Sequence, residues 1–136
     1  MSARAGQQLQ FAIVRRYLVP SAKTTTKGLA VIPSGTGVEV AGADSDVAIG
    51  IALNTCVAGQ YCDVALFAHG VIKAKCGTGG STFGKKQILV ADGFTDAPAD
   101  NGAGTTKPTY GFALETAVAA DEFELALTSP ANRTTT

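Results

Sequence analysis

From Gly28 onward the apolar residues come in short runs, each closed by Gly, Asp, Asn, Ser or Pro. Short runs with no sustained helical periodicity predict the strands and turns of an all-β domain. The predicted strands are Leu29 to Ile32, Val38 to Val40, Val47 to Leu53, Tyr61 to Phe67, Val71 to Lys75, Gln87 to Ala91, Tyr110 to Glu115 and Phe123 to Leu127. In Cys62-Asp63-Val64-Ala65-Leu66 the larger apolar residues take alternate positions, and Phe123-Glu124-Leu125-Ala126-Leu127 repeats that alternation. One face of each strand is therefore expected to be core.

Residues 9 to 19 carry two patterns. Phe11, Ile13 and Val19 fit a strand, while Leu9, Ala12, Ile13 and Tyr17 fit helical spacing, and the strand is preferred. Pro20-Ser21 and the polar stretch Ala22 to Lys27 then read as a connection between an N-terminal arm and a body. The expected organisation is an arm over residues 1–22, a β domain over 23–130 and a flexible tail over 131–136.

One internal repeat emerges at an offset of 61 residues. Gly50-Ile51-Ala52-Leu53-Asn54-Thr55-Cys56-Val57-Ala58 matches Gly111-Phe112-Ala113-Leu114-Glu115-Thr116-Ala117-Val118-Ala119, and Ala65-Leu66 matches Ala126-Leu127. Eight of the eighteen paired positions from Gly50 to Phe67 are identical. Such a match predicts one strand-turn-strand unit used twice, with like residues turned inward in each copy. The expected architecture is a small β-barrel or β-tulip with two similar units.

A chain of 136 residues fits one domain with one core. Apolar residues make up 46% and charged residues 16%, which argues for a folded rather than a disordered chain. No apolar run is long enough to span a bilayer as a helix. The N-terminus lacks a secretory h-region, so a cytosolic site of synthesis is expected, without disulfides. Net charge is zero, yet the first acid is Glu39, and Arg4, Arg15, Arg16, Lys23 and Lys27 precede it. That asymmetry points to a basic N-terminal segment on an acidic body, suited to docking on an acidic neighbour. The bases are too sparse, and too far from aromatics, to predict nucleic-acid binding.

Groupings that carry chemistry are weak. His69, in Phe67-Ala68-His69-Gly70-Val71, has no motif beside it that would supply a nucleophile. Cys56, Cys62, His69 and Cys76 offer zinc-ligand types, but they lack the close pairs of a structural zinc site. Cys62 shares its strand face with Val64 and Leu66 and reads as a buried small hydrophobe. Gly77-Thr78-Gly79-Gly80-Ser81-Thr82-Phe83-Gly84-Lys85-Lys86 misses the phosphate-loop spacing and reads as a hairpin loop. Asp92-Gly93, Asp96 and Asp100-Asn101-Gly102 miss calcium-loop spacing and read as Asx turns. No catalytic residue, metal or cofactor is expected, and the chain is read as a non-enzyme.

Three segments in order carry a family pattern: Val47-Ala48-Ile49-Gly50-Ile51-Ala52-Leu53, Ala58-Gly59-Gln60-Tyr61-Cys62-Asp63-Val64-Ala65-Leu66 and Gly70-Val71-Ile72-Lys73-Ala74. A second block follows, Gly111-Phe112-Ala113-Leu114-Glu115-Thr116 with Asp121-Glu122-Phe123-Glu124-Leu125-Ala126-Leu127. Over residues 28–128 the chain resembles the capsid cement, or head decoration, family of tailed bacteriophages. The resemblance implies a homotrimer on the outer capsid surface of the virion, clamping neighbouring major capsid protein subunits, with no cofactor. The sequence departs from that family in its longer N-terminal stretch.

On this reading Phe11, Ile13, Arg15, Arg16 and Tyr17 are candidates for capsid contact, by adding a strand to a capsid sheet edge. The same segment could equally be the first strand of the protein's own domain. Phe94, Tyr110 and Phe112 are candidates for the interface between copies. The competing functional classes are a β-barrel ligand- or carbohydrate-binding module and a small metal-dependent enzyme. A binding module would show aromatics around a groove, and the chain has nine Phe and Tyr in all, with no Trp.

Overall fold

The computed structural model describes residues 11–41, 48–97 and 106–134, and within them every regular element is a strand. The strands are β1 Val14–Leu18, β2 Thr24–Thr25, β3 Ala30–Ser34, β4 Gly37–Val40, β5 Gly50–Ala52, β6 Cys56–Val57, β7 Tyr61–Leu66, β8 Val71–Lys75, β9 Gln87–Val90, β10 Gly93–Asp96, β11 Thr106–Ala113 and β12 Glu122–Thr134. All eight predicted strands are present, with ends shifted by a few residues. Residues 14–18 form the edge strand of a sheet, and residues 131–134 belong to β12, so the chain is paired beyond both expected domain boundaries.

The repeat at offset 61 is a repeat of hydrogen-bond register. Gly50, Ile51 and Ala52 pair with Leu66, Ala65 and Val64, and Gly111, Phe112 and Ala113 pair with Leu127, Ala126 and Leu125. Leu53 N–H donates to Asp63 O and Leu114 N–H to Glu124 O, both at 2.8 Å. A Cβ on Gly50 would collide with Ala65 O, and one on Gly111 with Ala126 O, so each unit keeps a glycine where two strands close up.

The duplication extends further than that offset shows. β1 pairs with β7 from Val14↔Ala65 to Leu18↔Tyr61, and β8 pairs with β12 from Val71↔Ala126 to Lys75↔Glu122. Ala30 lies opposite Ile51, and Lys86 lies opposite Phe112. The hairpin β3–β4, from Val31↔Val40 to Ser34↔Gly37, recurs as β9–β10, from Gln87↔Asp96 to Val90↔Gly93. The first unit has the sheet order β1-β7-β5-β3-β4. In the second, the sheet β8-β12-β11 and the hairpin β9-β10 meet at the Lys86–Phe112 bridge, giving the same order.

Each sheet curls until its edges approach. A Cβ on Gly37 would strike Leu18 O, and one on Gly93 would strike Lys75 O. The second unit adds a parallel bridge, Cys76–Phe94, with Gly77 N–H donating to Phe94 O at 2.8 Å. Pro20 occupies the matching place in the first unit and has no N–H to give. Among the described residues this single bridge falls short of a closed barrel.

The first unit is filled by Val19, Val31, Val38, Ala52, Cys56, Cys62 and Val64. The second places Cys76, Phe94, Ala113, Phe123 and Leu125 at matching points, together with Gln87, which is fully buried. Gln87 is satisfied, since its Oε1 accepts from Ser81 Oγ at 2.7 Å and its Nε2 donates to Lys85 O at 3.0 Å.

The units are joined by the outer face of the first. Ala30, Ile51, Ala65 and Phe67 belong to the same buried cluster as Phe94, Tyr110, Phe123 and Leu125. Phe67 stacks on Tyr110 with centroids 4.5 Å apart and meets the edge of Phe94 at 6.3 Å. Beside it, Lys75 N–H donates to Gly28 O at 2.9 Å. Gly28 has φ +88° and its Cα lies against β8, so only glycine fits there without strain.

Phe67 therefore carries the joint, while its counterpart Thr128 is exposed. Phe67→Ala is expected to lower unfolding stability by about 3–5 kcal/mol. Thr128→Ala should stay within about 0.5 kcal/mol. Urea denaturation of the two variants checks this, and equal effects would refute the assigned joint.

Candidate interaction surface

The five sequence-predicted contact residues lie together, on β1 and the segment before it. Phe11, Ile13, Arg15 and Arg16 are exposed and Tyr17 is half-buried. Ile13 O accepts from Leu66 N–H, and Val19 N–H donates to Gln60 O, both at 2.8 Å. By strand alternation the backbone groups of Val14, Arg16 and Leu18 then point away from β7, towards the sheet edge. Arg16 Nε donates to Asp63 Oδ1 at 3.1 Å, a mostly exposed pair of small energetic weight. Arg4 and the rest of residues 1–10 lie outside the described residues.

The predicted interface residues separate. Phe94 and Tyr110 are 0% exposed and pack on Phe67 inside the chain, so they leave no surface for a second copy. That expectation is corrected, because the joint between the two units consumes both rings. Phe112 is 41% exposed and stays on the surface.

The sequence reading passed over a second exposed apolar group. Leu18 lies opposite Tyr61 on β7, and Tyr61 is 62% exposed. The matching pair in the second unit is Lys75 opposite Glu122, a polar choice suited to water. The signal was legible, since alternation about the inward Cys62 and Val64 turns Tyr61 outward. Beside this edge runs a largely apolar groove of about 430 Å³ lined by Tyr17, Ala48, Ile49, Leu66, Phe67, Ala68 and Pro130. Phe83, 65% exposed, sits in the loop before β9 on the other unit.

Chemical groupings are dispersed. Cys56 and Cys62 lie inside the first unit, Cys76 lies inside the second, and His69 is on an exposed turn. No group of three potential metal ligands occurs among the described residues. Burial pushes the Cys62 thiol up, away from thiolate. Cys76 Sγ lies 3.4 Å from Ser81 Oγ, within the buried network that holds Gln87. Asp100-Asn101-Gly102 lies outside the described residues.

The carboxylates serve as loop staples. Asp92 Oδ1 accepts from Thr78 N–H at 2.9 Å and Oδ2 from Thr78 Oγ1 at 2.7 Å, pinning the glycine-rich loop to the β9–β10 turn. Those two bonds, backbone first, hold the Asp92 carboxyl below its ordinary range. Asp96 accepts from Thr82 N–H at 2.7 Å and from Gln87 Nε2 at 2.8 Å, and it too is lowered although burial opposes the shift. Glu115 is lowered by Glu124 N–H and then by Lys73. Asn54 plays that part in the first unit, its Oδ1 accepting from Asp63 N–H at 2.8 Å.

No protein-family model and no curated protein matches the sequence. Among solved structures the chain is similar to the N base of head fiber gp8.5 in bacteriophage phi29. The TM-score is 0.60 at 12% sequence identity, over 85% of this chain and 95% of that one. At that identity the likeness is one of fold.

The lowered Asp92 carboxyl gives a pH prediction. Its stabilising effect is present above the ordinary aspartate range and is lost as pH falls through the folded-state value. Asp92→Ala is expected to unfold at lower urea than the wild type at neutral pH, with the gap closing in acid. A gap that widens in acid would show that the carboxylate is not the stabilising form.

Proposed function

We propose that the chain is a structural, non-enzymatic protein of a phage head, a cement or decoration protein that binds the outer capsid surface across neighbouring major capsid protein subunits as a homotrimer. The observation that carries this reading is the likeness in fold to a phage head fiber base over nearly the whole of both chains. It is supported by the ordered series Val47–Leu53, Ala58–Leu66 and Gly111–Thr116 that resembles the decoration family.

The surface suits such a role. The exposed Phe11, Ile13, Arg15 and Arg16 form a basic and apolar patch on β1 and the segment before it, fit for an acidic partner on the shell. A multivalent cement needs only modest contacts at each foothold, since the second and third become intramolecular and raise avidity by about 10²–10⁴.

The test is binding to empty heads assembled from the major capsid protein of the same phage. The protein is expected to co-sediment saturably and to raise the temperature at which the heads disrupt. Reversing Arg15 and Arg16 to Glu should cut the bound fraction several-fold at low salt, and less at high salt, without changing the circular dichroism spectrum. Heads that neither bind the protein nor gain stability would overturn the reading.

A further inference from the structure

Among the described residues, the duplication identifies two surfaces that are used once and left open once. The joint between the units is heterologous: the outer face of the first, with Gly28, Ala30, Ile51, Ala65 and Phe67, meets the β8 edge of the second, beside Tyr110 and Leu127. The first unit has its own copy of that receiving surface. Tyr17 stands where Ala74 stands, Ile49 where Tyr110 stands, and Leu66 where Leu127 stands. These three residues line the 430 Å³ apolar groove. The groove is thus the counterpart of the seat that Phe67 fills in the second unit.

The second unit likewise has its own copy of the donating face. Gly28 and Ala30 are buried, whereas the matching Gly84 and Lys86 are exposed. A Cβ on Gly28 would touch Lys75, and one on Gly84 would meet open space. Ile51 is fully buried, and its counterpart Phe112 is 41% exposed, with Phe83 exposed nearby. At the receiving edge, Leu18 and Tyr61 present apolar surface where Lys75 and Glu122 present charge.

We propose that the occupant of the groove is a second copy of this chain, whose Gly84–Phe112–Thr128 face, with Phe83 at its rim, docks on the Tyr17–Ile49–Leu66 groove and β1 edge by repeating the intrachain joint between copies. In this arrangement Gly84 O takes the outward N–H of Leu18, as Gly28 O takes that of Lys75. Repetition of one heterologous joint produces a closed ring when its rotation allows. The inference deepens the self-association part of the proposed function, assigns Tyr17 to the neighbouring copy rather than to the shell, and does not depend on capsid binding.

The experiment uses two variants of the full chain. Ala68→Arg fills the groove, and Phe83→Ser with Phe112→Lys removes the donating face. Sedimentation velocity is run up to about a millimolar, the effective concentration that a short linker gives an intrachain joint. The wild type is expected to form a discrete oligomer, and each variant alone is expected to stay monomeric. An equimolar mixture of the two should give a 1:1 dimer, since one intact groove and one intact face remain per pair; that rescue also shows that both variants fold.

A wild type monomeric throughout, a single variant that still dimerises through a two-fold contact, or a mixture that stays monomeric would each overturn the joint. Head binding by the wild type is read separately. Ring formation without head binding removes the capsid reading and leaves the joint, and head binding by a strict monomer does the reverse.

Discussion

The packing of Phe67 against the touching rings of Tyr110 and Phe94 is the contact on which the rest of the molecule depends. A five-stranded unit of under sixty residues buries little of its chain, and the buried apolar cluster of the first unit consists of Val, Ala and Cys. Its outer face supplies the missing burial. A fully buried phenylalanine contributes about 1.5–3 kcal/mol, and Ile51, Ala65 and Ala30 extend the same contact. The second unit answers with larger rings, Phe94 and Phe123 where the first has Val38 and Cys62.

The all-β class, the strands and the repeat were legible because each follows from local alternation and from the Gly-x-Ala-Leu-x-Thr string. The rest of the duplication was not legible. β1 and β8 share almost no residues, and Val31 of one unit becomes Gln87 of the other. What survives there is the register together with the glycines against backbone oxygens, Gly37 with Gly93 and Gly50 with Gly111. Steric requirements of close strands outlast side-chain identity. The burial of Phe94 and Tyr110 was hidden for a different reason. An aromatic that fills an internal joint and one that fills a joint between copies look alike in sequence, and only the position of Phe67 decides between them.

The differences between the units fall where their surroundings differ. Inside, Gln87 replaces an aliphatic residue only because Ser81, Lys85 O and Asp96 satisfy its amide. Outside, Lys75 and Glu122 replace Leu18 and Tyr61 at one edge, while Thr128 replaces Phe67 at the other face.

The exchange of Phe67 for Thr128 also sets the strength of the proposed contact between copies. The intrachain joint is tethered by Ala68-His69-Gly70 alone, which places its halves at an effective concentration of about a millimolar or more. It carries an aromatic anchor as well. The intermolecular version has Phe112 in place of Ile51, but it lacks both the tether and the Phe67 ring. It is accordingly expected to be weaker, and to form where copies are already crowded. Under the proposed function, an array of binding positions on a shell would provide that crowding, and assembly of the joint would then follow attachment instead of competing with folding. The same asymmetry would keep the free chain from polymerising through its groove in dilute solution.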